Sequence, residues 1–213
     1  MISMANIPAL TYLLPGLALG LSAGISPGPL LTLVMTQTLK HGAREGVKVS
    51  MAPLLTDLPI IVVVLFILDC LTHIEPVLGA ISLFGAGYLI YLGYESLSFK
   101  GEMPSDQAEA PHSIRKGIVA NFLNPSPYMF WFSIGGPLML KAFNLSPLAV
   151  ALFIVPFYSL LVGAKCVVAI VAGRSRYFLK SRAYVYTVRL LGLVLCLFGL
   201  MFIKDALVYF KWV

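Results

Sequence analysis

Long apolar stretches alternate with short polar ones along the chain, and the charges are confined almost entirely to the latter. No Asp, Glu, Lys or Arg precedes Lys40, and further charge-free runs cover Pro76–Tyr94, Gly117–Leu140 and Ala142–Ala164. Apolar runs of about 18 residues or more read as membrane-spanning helices. The pattern predicts six of them, over Ala9–Leu39, Val47–Leu68, Pro76–Leu97, Ile114–Leu140, Pro147–Ala172 and Tyr186–Tyr209. The first and fourth exceed the roughly 20 residues that one span needs and carry prolines near their middles, so each is expected to bend or break. Membrane strands would alternate over about ten residues, and these runs are too uniformly apolar for that. The expected fold is therefore an all-α membrane protein. With no Lys or Arg before an overlong apolar stretch, no cleaved signal peptide is expected.

Composition removes what room was left for a soluble domain. The 213 residues are 59% apolar and 11% charged, with a mean hydropathy of +0.92, whereas a soluble domain is about a quarter charged. In a soluble protein the net charge of +6 would suggest nucleic acid. Here its distribution gives a simpler reason, and no nucleic-acid partner is expected. Lys40, Arg44 and Lys48 fall in the first loop, Lys100, Arg115 and Lys116 in the third, and Arg174, Arg176, Lys180, Arg182 and Arg189 in the fifth. The opposite side carries only Lys141 and Lys211, with Lys204 near the end of the last span. The positive-inside rule then puts both termini on the non-cytoplasmic side. The Arg174–Arg182 segment is expected to meet anionic lipid headgroups.

A polar linker, residues 101–113, divides the chain into residues 1–100 and 114–213, and the two halves resemble each other. Ser26-Pro27-Gly28-Pro29 in span one matches Asn124-Pro125-Ser126-Pro127 in span four. Leu83-Phe84-Gly85 in span three matches Leu197-Phe198-Gly199 in span six. Because each half has three spans, the second must enter the membrane in the opposite sense. The expectation is two inverted three-helix repeats with Pro-broken helices 1 and 4, an arrangement found in secondary transporters. Gly79, Gly85, Gly87 and Gly93 are candidates for a close helix contact, within one chain or between copies in a homo-oligomer.

Few residues are available for chemistry. Paired prolines remove backbone donors, so each break must be buried in protein or line a wet cavity. Beyond each break, near Pro29 and Pro127, a half-helix restarts with unpaired N–H groups that suit a carboxylate; a packing kink is the plainer reading. Asp57, with Thr56 and Pro59 beside it, sits near the middle of span two, where a carboxylate is costly and should face the interior. A binding role and a structural ion pair are both open to it. Lys165 lies inside span five and is a natural partner for Asp57, or else extends to the basic face. Asn121 and Asn124, one helical turn apart, suit either a substrate or the carbonyls freed by Pro125 and Pro127. Glu95, Asp69, Lys204 and Asp205 lie at span ends and read as interfacial. Tyr88, Tyr91 and Tyr94 form a stripe expected to pack. Cys70, Cys166 and Cys196 lack metal or disulfide spacing, and His41, His73 and His112 form no helical pair. No metal site, cofactor or catalytic residue is expected. An enzyme is disfavoured for want of an intramembrane base, and a metal or inorganic-ion transporter is the alternative class.

The chain resembles the LysE/RhtB family of amino-acid exporters in length, in its six spans, in SPGP at 26–29, in an Asp in span two and in NFLNP at 121–125. The resemblance implies an inner-membrane efflux carrier for amino acids or similar small metabolites, driven by the proton gradient. It assigns Pro27, Gly28, Pro29, Asp57, Asn121, Asn124 and Pro125 to motif positions; Lys165 comes from the span reading alone. Many relatives carry a lysine directly after the span-four Asn-Pro, where this chain has Ser126, and glycines before the span-two Asp, where it has Pro53 and Leu54-Leu55. Six-span thiol–disulfide carriers are also similar, but they need a cysteine at each break, and neither tetrad has one. The combined expectation is a proton-coupled exporter of a zwitterion, with the carboxylate at the half-helix ends and Asp57 holding the ammonium or, in the empty site, a proton.

Overall fold

A computed structural model of the chain describes residues 7–70, 75–99, 112–174 and 182–211. His73, Lys100, the linker 101–111, Arg176 and Lys180 lie outside them, as do the side chains of Asp69, Cys70 and Arg182. All regular structure among the described residues is helical. The helices are α1 (Ile7–Leu10), α2 (Leu13–Ile25), α3 (Pro29–His41), α4 (Ala43–Ser50), α5 (Ala52–Cys70), α6 (Glu75–Leu97), α7 (Ser113–Phe122), α8 (Pro125–Phe130), α9 (Gly136–Leu145), α10 (Pro147–Arg174) and α11 (Arg182–Tyr209). A π-helical stretch, Trp131–Gly135, joins α8 to α9.

Among the described residues, four stretches are long and apolar enough to cross a membrane: Ala43–Val64, Glu75–Leu97, Pro147–Arg174 and Val185–Tyr209. The pair α2 and α3, bent by 57° at the Ser26–Gly28 break, makes a fifth if it is one span. The stretch expected as the fourth span is built from α7, α8, the π-helical stretch and α9, no one of which is long enough alone. The fold is an all-α integral membrane architecture with an outer surface to match. Leu14, Phe84 and Phe143 are each 70% or more exposed, an apolar exterior that lipid solvates and water does not.

Close packing of α10 on α2 comes from glycines. Gly16, Gly20 and Gly24 recur every fourth residue and face α10. A Cβ on Gly24 would stand 2.8 Å from the Cβ of Ala164 and from the Leu160 carbonyl oxygen, so only glycine permits this approach. The expected glycine contact on α6 also forms within the chain. Gly93 lies against Gly192 and Cys196 of α11, and Gly85 against the Leu123 carbonyl and Phe202, whereas Gly87 meets nothing. The tyrosine stripe differs from expectation. Tyr91 and Tyr94 face outward, 60% and 69% exposed, because the small residues of α6 occupy its contact face.

At one end of the bundle Glu95 of α6 accepts from Lys40 of α3 at 3.1 Å and from Lys116 of α7 at 2.9 Å. Lys40 is only 5% exposed and its ammonium also stands 5.8 Å over the Phe99 ring. Glu95 is thus the tie between three helices. Glu95→Gln leaves the buried Lys40 ammonium an amide oxygen but no counter-charge, and the loss should be up to about 3 kcal/mol, the low end for unpairing a buried charge. Adding Lys40→Met should restore much of it. Unfolding in detergent measures both; an unchanged Glu95→Gln midpoint would mean that Lys40 is solvated.

Candidate functional site

Both breaks free carbonyls, and the site is built from what satisfies them. In the first, Pro27 has no N–H for the Ala23 carbonyl, and Gly28, extended at φ −173°, turns its own N–H away from the Gly24 carbonyl. Lys165 of α10 replaces both missing donors, giving hydrogen bonds from Nζ to the Ala23 oxygen at 2.7 Å and the Gly24 oxygen at 3.2 Å. It reaches them because Gly24 lets α10 approach. The restarting helix α3 has no side-chain cap.

The second break is satisfied differently. Asn124 caps α8 by accepting the Ser126 N–H at 3.0 Å, and the Tyr128 hydroxyl donates to the Phe122 carbonyl at 3.0 Å. The Leu123 carbonyl, freed by Pro127, rests against Gly85. The half-helix therefore restarts at Pro125 and not near Pro127 as expected. Asn-Pro is a strong N-cap and first-position signature, and that signal was present in the sequence. The equivalence of the two breaks is also loosened, since α3 restarts at the second proline of its tetrad and α8 at the first.

Asp57 hangs in a polar cluster between α5, α7 and α10. Asn121 Nδ2 donates to the Thr56 hydroxyl at 2.6 Å and to Asp57 Oδ1 at 3.2 Å. The Tyr158 hydroxyl donates to Oδ2 at 3.2 Å. Thr56 gives its own proton to the Ala52 carbonyl at 3.0 Å, and the Trp131 indole lies beside the carboxylate. Asp57, Asn121, Asn124 and Lys165 are 4%, 3%, 7% and 4% exposed, and each has the hydrogen-bond partner that a buried polar group requires. Asp57 and Lys165, which sequence position made natural partners, form no ion pair. Lys165 is held instead by the frayed end of α2.

These groups enclose one cavity of about 210 Å³. Its wall includes Pro27, Gly28, Pro29, Asp57, Asn121, Asn124 and Lys165, seven of the eight residues singled out from sequence. Pro125 is not in the wall; its neighbours Ser126 and Pro127 are. The rest is mostly apolar, from Leu30, Phe130, Trp131, Phe157 and Leu161. Phe130 and Phe157 stack with centroids 5.3 Å apart, and Trp131 meets both edge-on at 5.3 and 5.7 Å. Residues 21–206 match the family described as LysE type translocator. The chain belongs to that family. No curated protein and no solved structure matches it.

A translocator must hold a small molecule inside the membrane, and the cavity lies where both broken helices meet the polar clusters. Sequence reasoning missed Tyr158, Trp131 and Phe157. Phe157, Leu161 and Lys165 are four residues apart, so they share a face of α10, and Tyr158, seven before Lys165, lies close to it. Among the described residues, no three His, Cys, Asp or Glu side chains converge as a metal would require. Lys165→Met leaves the Ala23 and Gly24 carbonyls without donors and should cost the translocator about 1–3 kcal/mol of stability for each. Thermal unfolding in detergent would read the loss, and an unchanged midpoint would mean that water serves both oxygens.

Proposed function

We propose that this translocator is a secondary carrier of the cell inner membrane that exports amino acids or related small zwitterions, coupled to the proton gradient by alternating access. The observation that carries the reading is the cavity, which joins a buried carboxylate, a buried ammonium and an uncapped half-helix in a member of a translocator family. Asp57 receives the substrate ammonium or a proton. Because the two compete for one carboxylate, the binding of either displaces the other, which couples their movements. The carboxylate goes to the α3 end of the cavity. The Asn124 cap withdraws the only N–H that the Pro-Ser-Pro start of α8 offers there.

Six crossings, with α7 to α9 as the fourth, complete this reading. Packing supports an inverted repeat: α2 of the first crossing packs on α10 of the fifth, α7 of the fourth packs on α5 of the second, and α6 packs along α11. Those pairs exchange under a two-fold that swaps the halves 1–100 and 114–213. Alternating access is then one half rocking against the other, with both termini outside the cytoplasm by the distribution of basic residues and the Arg174–Arg182 segment on anionic lipid.

Asp57→Asn removes the titratable oxygen and retains the shape of the side chain. In proteoliposomes with an imposed pH gradient, it should reduce driven accumulation of substrate by about 10- to 100-fold, the equivalent of a charge-assisted hydrogen bond of about 1.5–3 kcal/mol. Full gradient-driven transport by this variant would remove Asp57 as the proton site.

A further inference from the structure

We propose that the transported species is an amino acid of no net charge with an apolar side chain, bound with its carboxylate between Lys165 and the first turn of α3, its ammonium at Asp57 and its side chain against Phe130, Trp131 and Phe157. This rests on the carrier reading above and narrows it by charge, valence and size.

The charges in the wall balance. Among the described residues, Lys165 and Asp57 are the only formally charged ones in the cavity wall, one of each sign, and both are 4% exposed. A zwitterion brings one partner for each. A lysine or glutamate substrate would bring a further charge into a site with no counter-charge for it, and an unpaired buried charge is strongly disfavoured.

Hydrogen-bond valence also leaves a place for each substrate group. An ammonium has three donors, and Lys165 uses two on Ala23 and Gly24. One is left for a carboxylate oxygen. The first internal bond of α3 runs from the Thr32 N–H to the Gly28 carbonyl at 3.0 Å, so Leu30 and Leu31 bring N–H groups without an intrahelical acceptor to the same wall. A carboxylate has about four acceptor positions. Asn121 and Tyr158 fill one on each oxygen of Asp57 and Trp131 lies beside them; Thr56 stands 3.5 Å from Oδ1 but has its one proton on the Ala52 carbonyl, which leaves one position for an ammonium.

Size and surface set the side chain. About 210 Å³ is below the roughly 300–1,000 Å³ of pockets for drug-sized ligands. The aromatic trio presents carbon to a substrate, and the wall's two hydroxyls, Ser26 and Ser126, belong to the helix breaks and not to that face. A Cβ added at Gly28 would meet nothing within 4 Å, and its extended backbone accepts any residue. A side chain at that position therefore enters open space at the cavity wall without a clash in the fold.

The test is counterflow in proteoliposomes of the wild-type protein and of Gly28→Val, with radiolabelled leucine, methionine, valine, phenylalanine and alanine first and the other natural amino acids after them. Competitors are lysine, glutamate and two fragments of leucine, 3-methylbutylamine without the carboxylate and 4-methylpentanoate without the ammonium. Exchange of at least one neutral apolar amino acid is expected, with each competitor weaker by about 100-fold, near 2.8 kcal/mol at 1.4 kcal/mol per decade. Gly28→Val should keep the fold and shift preference from leucine toward alanine by about tenfold. Exchange of lysine or glutamate as effective as that of the neutral panel would overturn the charge-balance inference and leave amino-acid export standing. So would a single-charge fragment competing as well as leucine. An unchanged leucine-to-alanine preference in Gly28→Val would overturn the assignment of the side chain to this cavity. Silence across all twenty amino acids in folded protein would overturn amino-acid export itself, and this inference with it.

Discussion

The arrangement depends on how one lysine finishes an unfinished helix. Where water is scarce, a helix cannot stop without a donor for its last carbonyls, and Pro27 with the extended Gly28 stops α2 inside the bundle. The Lys165 ammonium supplies the donors. The same bond explains how a cation is tolerated at that depth: the carbonyl end of a helix is the negative pole of its dipole, and two carbonyl oxygens replace part of the lysine's hydration. The stripe Gly16, Gly20, Gly24 belongs to this device, because side chains there would hold α10 away from α2 and Lys165 out of reach.

The second break meets the same requirement without charge. Asn124, Tyr128 and the close pass of Leu123 over Gly85 use only neutral groups. Two breaks related by the repeated Pro-x-Pro pattern thus give two unlike walls, one cationic with an uncapped helix start and one capped and neutral. Asp57 completes the polarity from a third direction, held by Asn121 and Tyr158 from α7 and α10. An asymmetric ligand has one preferred orientation in such a cavity, where a strictly symmetric pair of breaks would offer two.

The sequence made the breaks legible because proline leaves no alternative, and it marked Asp57 because a carboxylate in an apolar span stands out by cost alone. Asn121 was legible from its one-turn spacing to Asn124. Tyr158, Trp131 and Phe157 were not, since an aromatic residue in a uniformly apolar helix is as well placed toward lipid as toward a cavity, and periodicity does not fix the rotation of such a helix. The same ambiguity turned Tyr91 and Tyr94 outward against expectation. Glu95 looked interfacial because its position in sequence is at a span end; its bonds to Lys40 and Lys116 depend on α3 and α7 arriving beside α6, which no local pattern records. The partner of Lys165 was left open for a related reason. A lone cation and a lone anion in the membrane suggest a pair, but the carbonyls of a broken helix are an equally good partner, and the sequence does not rank the two.

The separation of those two charges matters more than their presence. Had Lys165 and Asp57 bonded each other, each would have spent its free valence on the other, and a ligand would have had to break a buried ion pair before gaining anything from either. Held apart on carbonyls and on Asn121 and Tyr158, both keep a position open toward the same small cavity while their desolvation is already offset by protein dipoles. That is preorganisation in the sense used for binding sites generally: the cost of orienting the charges is met in folding, and binding is spared it. It also limits what can enter, since a cavity that is neutral overall, with both charges only partly satisfied, favours a ligand that is likewise neutral overall and carries one of each.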